Sequence, residues 1–221
     1  MRACIFDLDG VIVDTAKYHY LAWKKLAQEL GFFFSEKDNE RLKGISRMAS
    51  LEILLETGGI EANEEEKISM AEKKNKCYLE YVIQMTPGEV LPGVRDFLNA
   101  LQQADIKIAL GSASKNAKTI LQKTGITSLF DAIADGNNVS KAKPDPEVFL
   151  KAAELLEMPA SDCIVFEDAV AGIEAAHRSG MKCIGVGDPL VLSDADCVIP
   201  GFQHLTFENG ELKIKKQIIK I

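Results

Sequence analysis

The chain has 221 residues, 47% of them hydrophobic and 27% charged, which is enough apolar material for a real core and too patterned for disorder. Its formal net charge of −7 argues against nucleic acid or an anionic membrane as partner, because both call for a basic face, yet it leaves room for a phosphorylated small molecule met by a few local cations. The five cysteines form no CxxC pair and four of them lie inside apolar runs, as expected for reduced thiols in a cytoplasmic protein.

Residues 2–8 read as a buried strand, and Asp7 and Asp9 interrupt this apolar run, so no signal peptide is expected. No stretch reaches the ~20 apolar residues that a membrane span needs. From Thr15 to about Gln84 the pattern turns helical. "TAKYHYLAWKKLAQELG" has apolar residues at helical spacing, "SRMASLEILLETGG" ends at glycines, and "NEEEKISMAEKKNKCYLEYVIQM" is acidic at its start, where the helix dipole favours negative charge. After "TPGEVLPGV" the chain alternates: helix 93–103 and strand "IKIALGS", helix 114–124 and "DAIA", helix 146–156 and "DCIVFED", helix 169–178 and "KCIGVG", with "DCVIP" closing the series. The tail "ELKIKKQIIKI" alternates like an edge strand or a covering segment, with no definite place.

Strands alternating with helices imply an α/β fold, a doubly wound parallel sheet core with right-handed crossovers. Residues 1–14 and 87–221 form that core; residues 15–86 form an inserted α-helical cap domain. In such sheets ligands bind beyond the carboxyl ends of the strands. Those ends carry Asp7 and Asp9, then Ser112, then a loop leading to Lys143, then Glu167 and Asp168. A single acidic residue after a strand is commonly a cap or turn former. Four such ends at one edge call for more. Clustered carboxylates repel unless a cation joins them, and an all-oxygen set suits Mg2+. A serine hydroxyl and a lysine suit a phosphoryl group. Asp7 and Asp9, at i and i+2 of an extended segment, point the same way. One can attack phosphorus and become an acyl phosphate while the other gives and takes the proton of the departing oxygen.

"DLDGVIVDT", "GSASKN", "KPDPEVF" and "FEDAVAGIEAA", in that order, resemble the four motifs of the haloacid dehalogenase superfamily. The helical insertion, with "LKGISR" and "KKN", is similar to the small cap of its phosphoglucomutase-like branch. The resemblance implies an enzyme that interconverts β-glucose 1-phosphate and glucose 6-phosphate, with Mg2+ as cofactor and β-glucose 1,6-bisphosphate as intermediate. It implies Asp7 as nucleophile and Asp9 as general acid/base, with the metal held by the Asp7 side chain, the Asp9 backbone carbonyl and Asp168, and Glu167 assisting. Ser112 and Lys143 would hold the transferring phosphoryl group. Lys143, directly before Pro144, fits the pattern better than Lys141, which is expected to be a solvated loop lysine. Arg47 with Ser114, Lys115 and Asn116 would hold the substrate's other phosphate, and Gly44 and Ile45 would line the sugar pocket.

Three cap residues have plain structural readings as well. His19 can pack the first cap helix or contact Asp9; Trp23, four residues on, lies on the same face and is expected to be mostly core; Lys74 faces the sugar or belongs to a charged helix surface. His177 and His204 read as surface residues. A sugar-phosphate phosphatase shares every core motif and is the alternative activity. A non-catalytic sugar-phosphate sensor is a further alternative, disfavoured because both aspartates are present. A monomer acting on a small molecule is expected.

Overall fold

The first apolar run forms β1 (Ala3–Phe6), buried along its whole length. The computed structural model describes residues 2–42, 45–208, 211–214 and 217–218. After β1 come α1 (Ala16–Glu29), α2 (Glu36–Glu40), α3 (Arg47–Gly58) and α4 (Glu64–Val82). The alternating part follows: α5 (Val94–Gln103), β2 (Lys107–Gly111), α6 (Ala117–Lys123), β3 (Ala132–Ala134), α7 (Glu147–Leu155), β4 (Cys163–Glu167), α8 (Val170–Arg178), β5 (Lys182–Val186) and β6 (Cys197–Ile199). The chain divides into two compact units, Met1–Asp14 with Thr86–Ile221, and Thr15–Met85.

In the first unit the six strands run in the order β3-β2-β1-β4-β5-β6, and every neighbouring pair is parallel. The chain leaves β1 for β2 on one side and returns from β3 to β4 on the other, so the crevice at the end of β1 is the switch point where such sheets bind ligands. Register brings the ends level: Phe6 lies opposite Leu110 of β2 and Phe166 of β4. Alternation divides the core. Ala3 and Ile5 pack with Val148, Phe149 and Ala152 of α7 and Ile173 of α8. On the opposite face Phe6 stacks on Phe166 at 4.7 Å between centroids and meets Phe97 and Phe202. Burying each such ring contributes roughly 1.5–3 kcal/mol, which fixes the strand ends that carry the charged residues.

The tail is not an edge strand of this sheet. Its described residues form β8 (Glu211–Ile214) and β9 (Gln217–Ile218), which join β7 (Leu205–Glu208) in a separate antiparallel ladder. Leu205, Phe207 and Leu212 are buried, β7 lies against α5, and the tail reaches this layer by pairing β8 with β7.

The second unit is helical. Trp23, Leu26 and Ala27 of α1 join Phe34, Leu51, Leu54, Leu55 and Ala71 in one cluster. The short α2 lay outside the sequence reading. Its start is a reciprocal cap: Asp38 N donates to Ser35 Oγ (3.2 Å) and Ser35 N to Asp38 Oδ2 (2.9 Å). The acidic run does start a helix, α4, with Asn63 and Glu66 capping each other and Glu64, Glu65 and Glu66 in its first turn. Among the described residues no helix is long and apolar enough to cross a membrane.

Candidate active site

Two strand ends and one loop build a charged cluster in the first unit. Asp7 directly follows β1; its N–H donates to Phe166 O, so the ladder holds it one residue beyond the strand. Lys143 comes from the loop before α7. Its Nζ donates to Asp7 Oδ1 (2.5 Å) and to Glu167 Oε2 (2.7 Å) at the end of β4. Glu167 uses its other oxygen, Oε1, to accept from the backbone N–H groups of Asp168 (3.2 Å) and Ala169 (3.1 Å) at the start of α8. Asp168 supplies a third carboxylate, and one ligand atom from each of Asp7, Glu167 and Asp168 lies within 4.8 Å of the others.

Two glycines make this crowding possible. A Cβ on Gly10 would stand 1.9 Å from Asp168 Oδ2, and Gly10 has φ +78°, a conformation other residues rarely adopt. A Cβ on Gly172 of α8 would stand 2.0 Å from Glu167 Cδ. Both lie within sequence motifs, but their reason is visible only in the fold.

Charge in the cluster does not balance. Three carboxylates face one ammonium, a surplus of two negative charges when all are ionised. Burial alone would lower the Lys143 pKa; Asp7 and Glu167 outweigh it and hold the ammonium well above the ordinary lysine range. Burial raises the Glu167 pKa, Lys143 opposes this, and Asp7 adds to it. Asp168 is also raised, by desolvation first and then by Asp7 and Glu167. Its carboxyl still reaches solvent, so the neighbouring negative charges are the firmer cause. An all-oxygen, over-negative site with two of its three carboxylates buried fits a hard divalent cation. Asp7 gives Oδ1 to Lys143, and Asp7 Oδ2 has no protein donor among the described residues.

The other strand ends border the cluster. Asp9 is half-buried in the turn after β1, where its backbone bridges to Val13. Ser112 follows β2, is buried, and accepts at Oγ from Ser114 N (3.1 Å); Ser114 Oγ in turn accepts from Asn116 N (3.2 Å). Ser114 and Asn116 are half-buried and Lys115 is exposed. Lys141 is turned outward and pairs with Asp145 at 3.3 Å. His177 and His204 are both exposed.

In the helical unit His19, Trp23 and Lys74 meet. Lys74 is buried, not part of a charged helix surface: its Nζ lies 2.8 Å from His19 Nδ1, 4.4 Å from the Trp23 ring centroid and 4.9 Å from that of Tyr78. An ammonium only donates, so His19 Nδ1 accepts and the neutral ring carries its proton on Nε2. Trp23 is itself buried in the hydrophobic cluster and offers Lys74 its face. Arg47 opens α3, is half-buried, and has no hydrogen bond or ion pair among the described residues. Desolvation lowers its pKa. Ser46 Oγ caps the start of α3 by accepting from Ala49 N (3.2 Å). Ile45 is half-buried two residues before Arg47; Gly44 lies outside the described residues.

His19 gives a pH signature. Burial, then Lys74, then Arg47 push its pKa well below the ordinary 6.5. A depressed folded-state pKa means that protons favour the unfolded chain. This contribution to stability is complete above the unfolded value and is lost as pH falls from about 6.5 towards the folded value. Between about pH 7.5 and about pH 5.5 the native chain is expected to lose about 1 kcal/mol more stability than His19→Gln, measured by denaturant unfolding. Equal losses would show that His19 is not held neutral.

Comparison with known proteins places this architecture. The family model for haloacid dehalogenase-like hydrolases matches residues 1–180. The chain belongs to that family. β-Phosphoglucomutase of Bacillus subtilis is 45% identical over 210 residues, covering 94% of this chain and 93% of the relative. A crystal structure of β-phosphoglucomutase from Clostridium difficile superposes with a TM-score of 0.89 at 45% identity, covering 94% of both chains. A phosphorylated carbohydrates phosphatase of Thermotoga maritima is 31% identical over 187 residues, covering 83% of this chain and 84% of the relative. Family membership implies a divalent metal, and the cluster of Asp7, Glu167 and Asp168 has the donor chemistry for one.

Proposed function

We propose that the protein interconverts β-glucose 1-phosphate and glucose 6-phosphate, the reaction of a β-phosphoglucomutase, by passing a phosphoryl group through Asp7. The observation that carries this reading is 45% identity to a β-phosphoglucomutase over 94% of the chain, helical unit included, against 31% to a phosphatase. Asp7, with Oδ2 unengaged, attacks the phosphorus of β-glucose 1,6-bisphosphate. The P–O bond to the sugar breaks, and the departing sugar oxygen takes a proton from Asp9. In the reverse sense Asp9 removes the proton of a sugar hydroxyl, and that oxygen takes the phosphoryl group from Asp7. Lys143 and the Ser112 hydroxyl hold the phosphoryl oxygens. Asp7, the Asp9 backbone carbonyl and Asp168, with Glu167 assisting, would hold Mg2+, which when bound neutralises phosphoryl charge.

For the sugar's second phosphate the candidates are Arg47, an uncommitted guanidinium, and the loop of Ser114, Lys115 and Asn116. His19, Trp23, Lys74, Gly44 and Ile45 serve the sugar. A monomer is our reading of the protein's assembly state. The five free cysteines support a reducing, cytoplasmic setting, and the acidic net charge supports a reaction without nucleic acid.

Product analysis tests the activity. With β-glucose 1-phosphate, Mg2+ and a trace of the bisphosphate, glucose 6-phosphate is expected, and EDTA should stop its formation. Free glucose and inorganic phosphate would identify a phosphatase instead.

A further inference from the structure

We propose that Glu147 is a positioning residue for Lys143, acting through the backbone of the loop that carries it. Lys143 reaches its two carboxylates from a seven-residue segment between Ser140 and Pro146, which has no regular secondary structure of its own. Such a segment holds a side chain in place only if its backbone is tied down. Glu147, the first residue of α7, does the tying. Its Oε2 accepts from Ser140 N (2.9 Å) and Lys141 N (2.6 Å), and its Oε1 accepts from Ser140 Oγ (3.1 Å). Glu147 is fixed in turn by its own N–H, which donates to Asp145 Oδ1 (3.1 Å). Asp145 N donates to Ala142 O (3.0 Å), and Arg178 of α8 donates to Pro144 O (3.1 Å). Ties therefore exist on both sides of Lys143, and Glu147 makes the shortest of them.

The carboxylate is the right group for this task. Backbone hydrogen bonds to a charged acceptor are roughly twice as strong as neutral ones, and two converge on one oxygen here. The bonds from Ser140 and Lys141 hold the Glu147 carboxyl below the usual carboxylate range, so it stays ionised and accepting. Without it, the ammonium loses the fixed stem that sets its distance to Asp7 and Glu167. A displaced Lys143 should slow phosphoryl transfer and leave sugar binding alone, since small misplacements act on the reacting geometry.

The inference rests on Lys143 serving the phosphoryl site, so its test has one arm that needs no turnover. The Lys143 ammonium, buried between two carboxylates, should give a slowly exchanging 15N-ammonium NMR signal, assigned by its loss in Lys143→Gln. In Glu147→Ala that signal should shift or broaden away. In the same variant kcat should fall about tenfold with KM nearly unchanged. Glu147→Gln, which keeps one acceptor oxygen, should recover most of both. The unfolding midpoint should barely move, because Glu147 is not part of the core. An unchanged ammonium signal in Glu147→Ala would overturn the proposal whatever the activity does. So would a fall in the unfolding midpoint large enough to explain the lost signal.

Discussion

Asp7→Asn is expected to lower turnover by at least about four orders of magnitude, the scale seen when a covalent nucleophile is removed. Asn keeps the shape and an oxygen that can accept from Lys143, but it has no charge with which to attack phosphorus. The fold should persist. The cluster holds three carboxylates around one ammonium, and Asp7 is among the charges that raise the pKa of both Glu167 and Asp168. Neutralising it removes repulsion while Glu167 remains to pair with Lys143 at 2.7 Å. In the absence of metal the variant should therefore be no less stable than the native chain. Substantial turnover in a pure, folded sample, measured by glucose 6-phosphate formation, would rule out attack by Asp7.

The second large effect is expected at Arg47. A mutase must accept one bisphosphate in two orientations, so whichever phosphate is away from Asp7 needs a cation of its own. Arg47 is suited to this by its planar guanidinium and by the lack of any partner among the described residues. Arg47→Ala should lower transfer to β-glucose 1-phosphate by about 30- to 1,000-fold, corresponding to roughly 2–4 kcal/mol for one strong charge-assisted contact. Hydrolysis of the phosphoenzyme by water should change much less, because water has no second phosphate to be held. The ratio of mutase to phosphatase turnover would then fall. An equal fall in both activities would mean that Arg47 acts on the fold or on the chemistry at Asp7, not on the distal phosphate.

Legibility in the sequence followed the range of the interactions. The apolar run of β1 and the helix-strand alternation after it are local patterns, and they predicted a parallel sheet whose strand ends bear charge. The segments of α1, α3 and α4 were equally plain from their periodicity. The short α2 was not, although "SEKD" has the reciprocal capping pattern, because five residues are too few to show helical period. Lys74 shows the limit from the other side. In "EKKNK" it looks like one more surface lysine, and its burial depends on His19 and Trp23, brought to it by packing of α1 on α4, beside Tyr78 one turn on in α4 itself. One of the ties around Lys143 is also tertiary: Arg178 lies 34 residues beyond Pro144, and no spacing rule connects them. The tail's alternation was visible, but its antiparallel partner β7 was not.

The central claim is that the phosphoryl group rests on Asp7 between two sugar oxygens. Incubation with 32P-labelled β-glucose 1,6-bisphosphate, acid quench and peptide mapping test it most directly. The account predicts label on the Asp7 peptide, lost on treatment with hydroxylamine as an acyl phosphate should be, chased off by β-glucose 1-phosphate, and absent in Asp7→Asn. Label on another residue, or full turnover with no trappable phosphoenzyme, would contradict it.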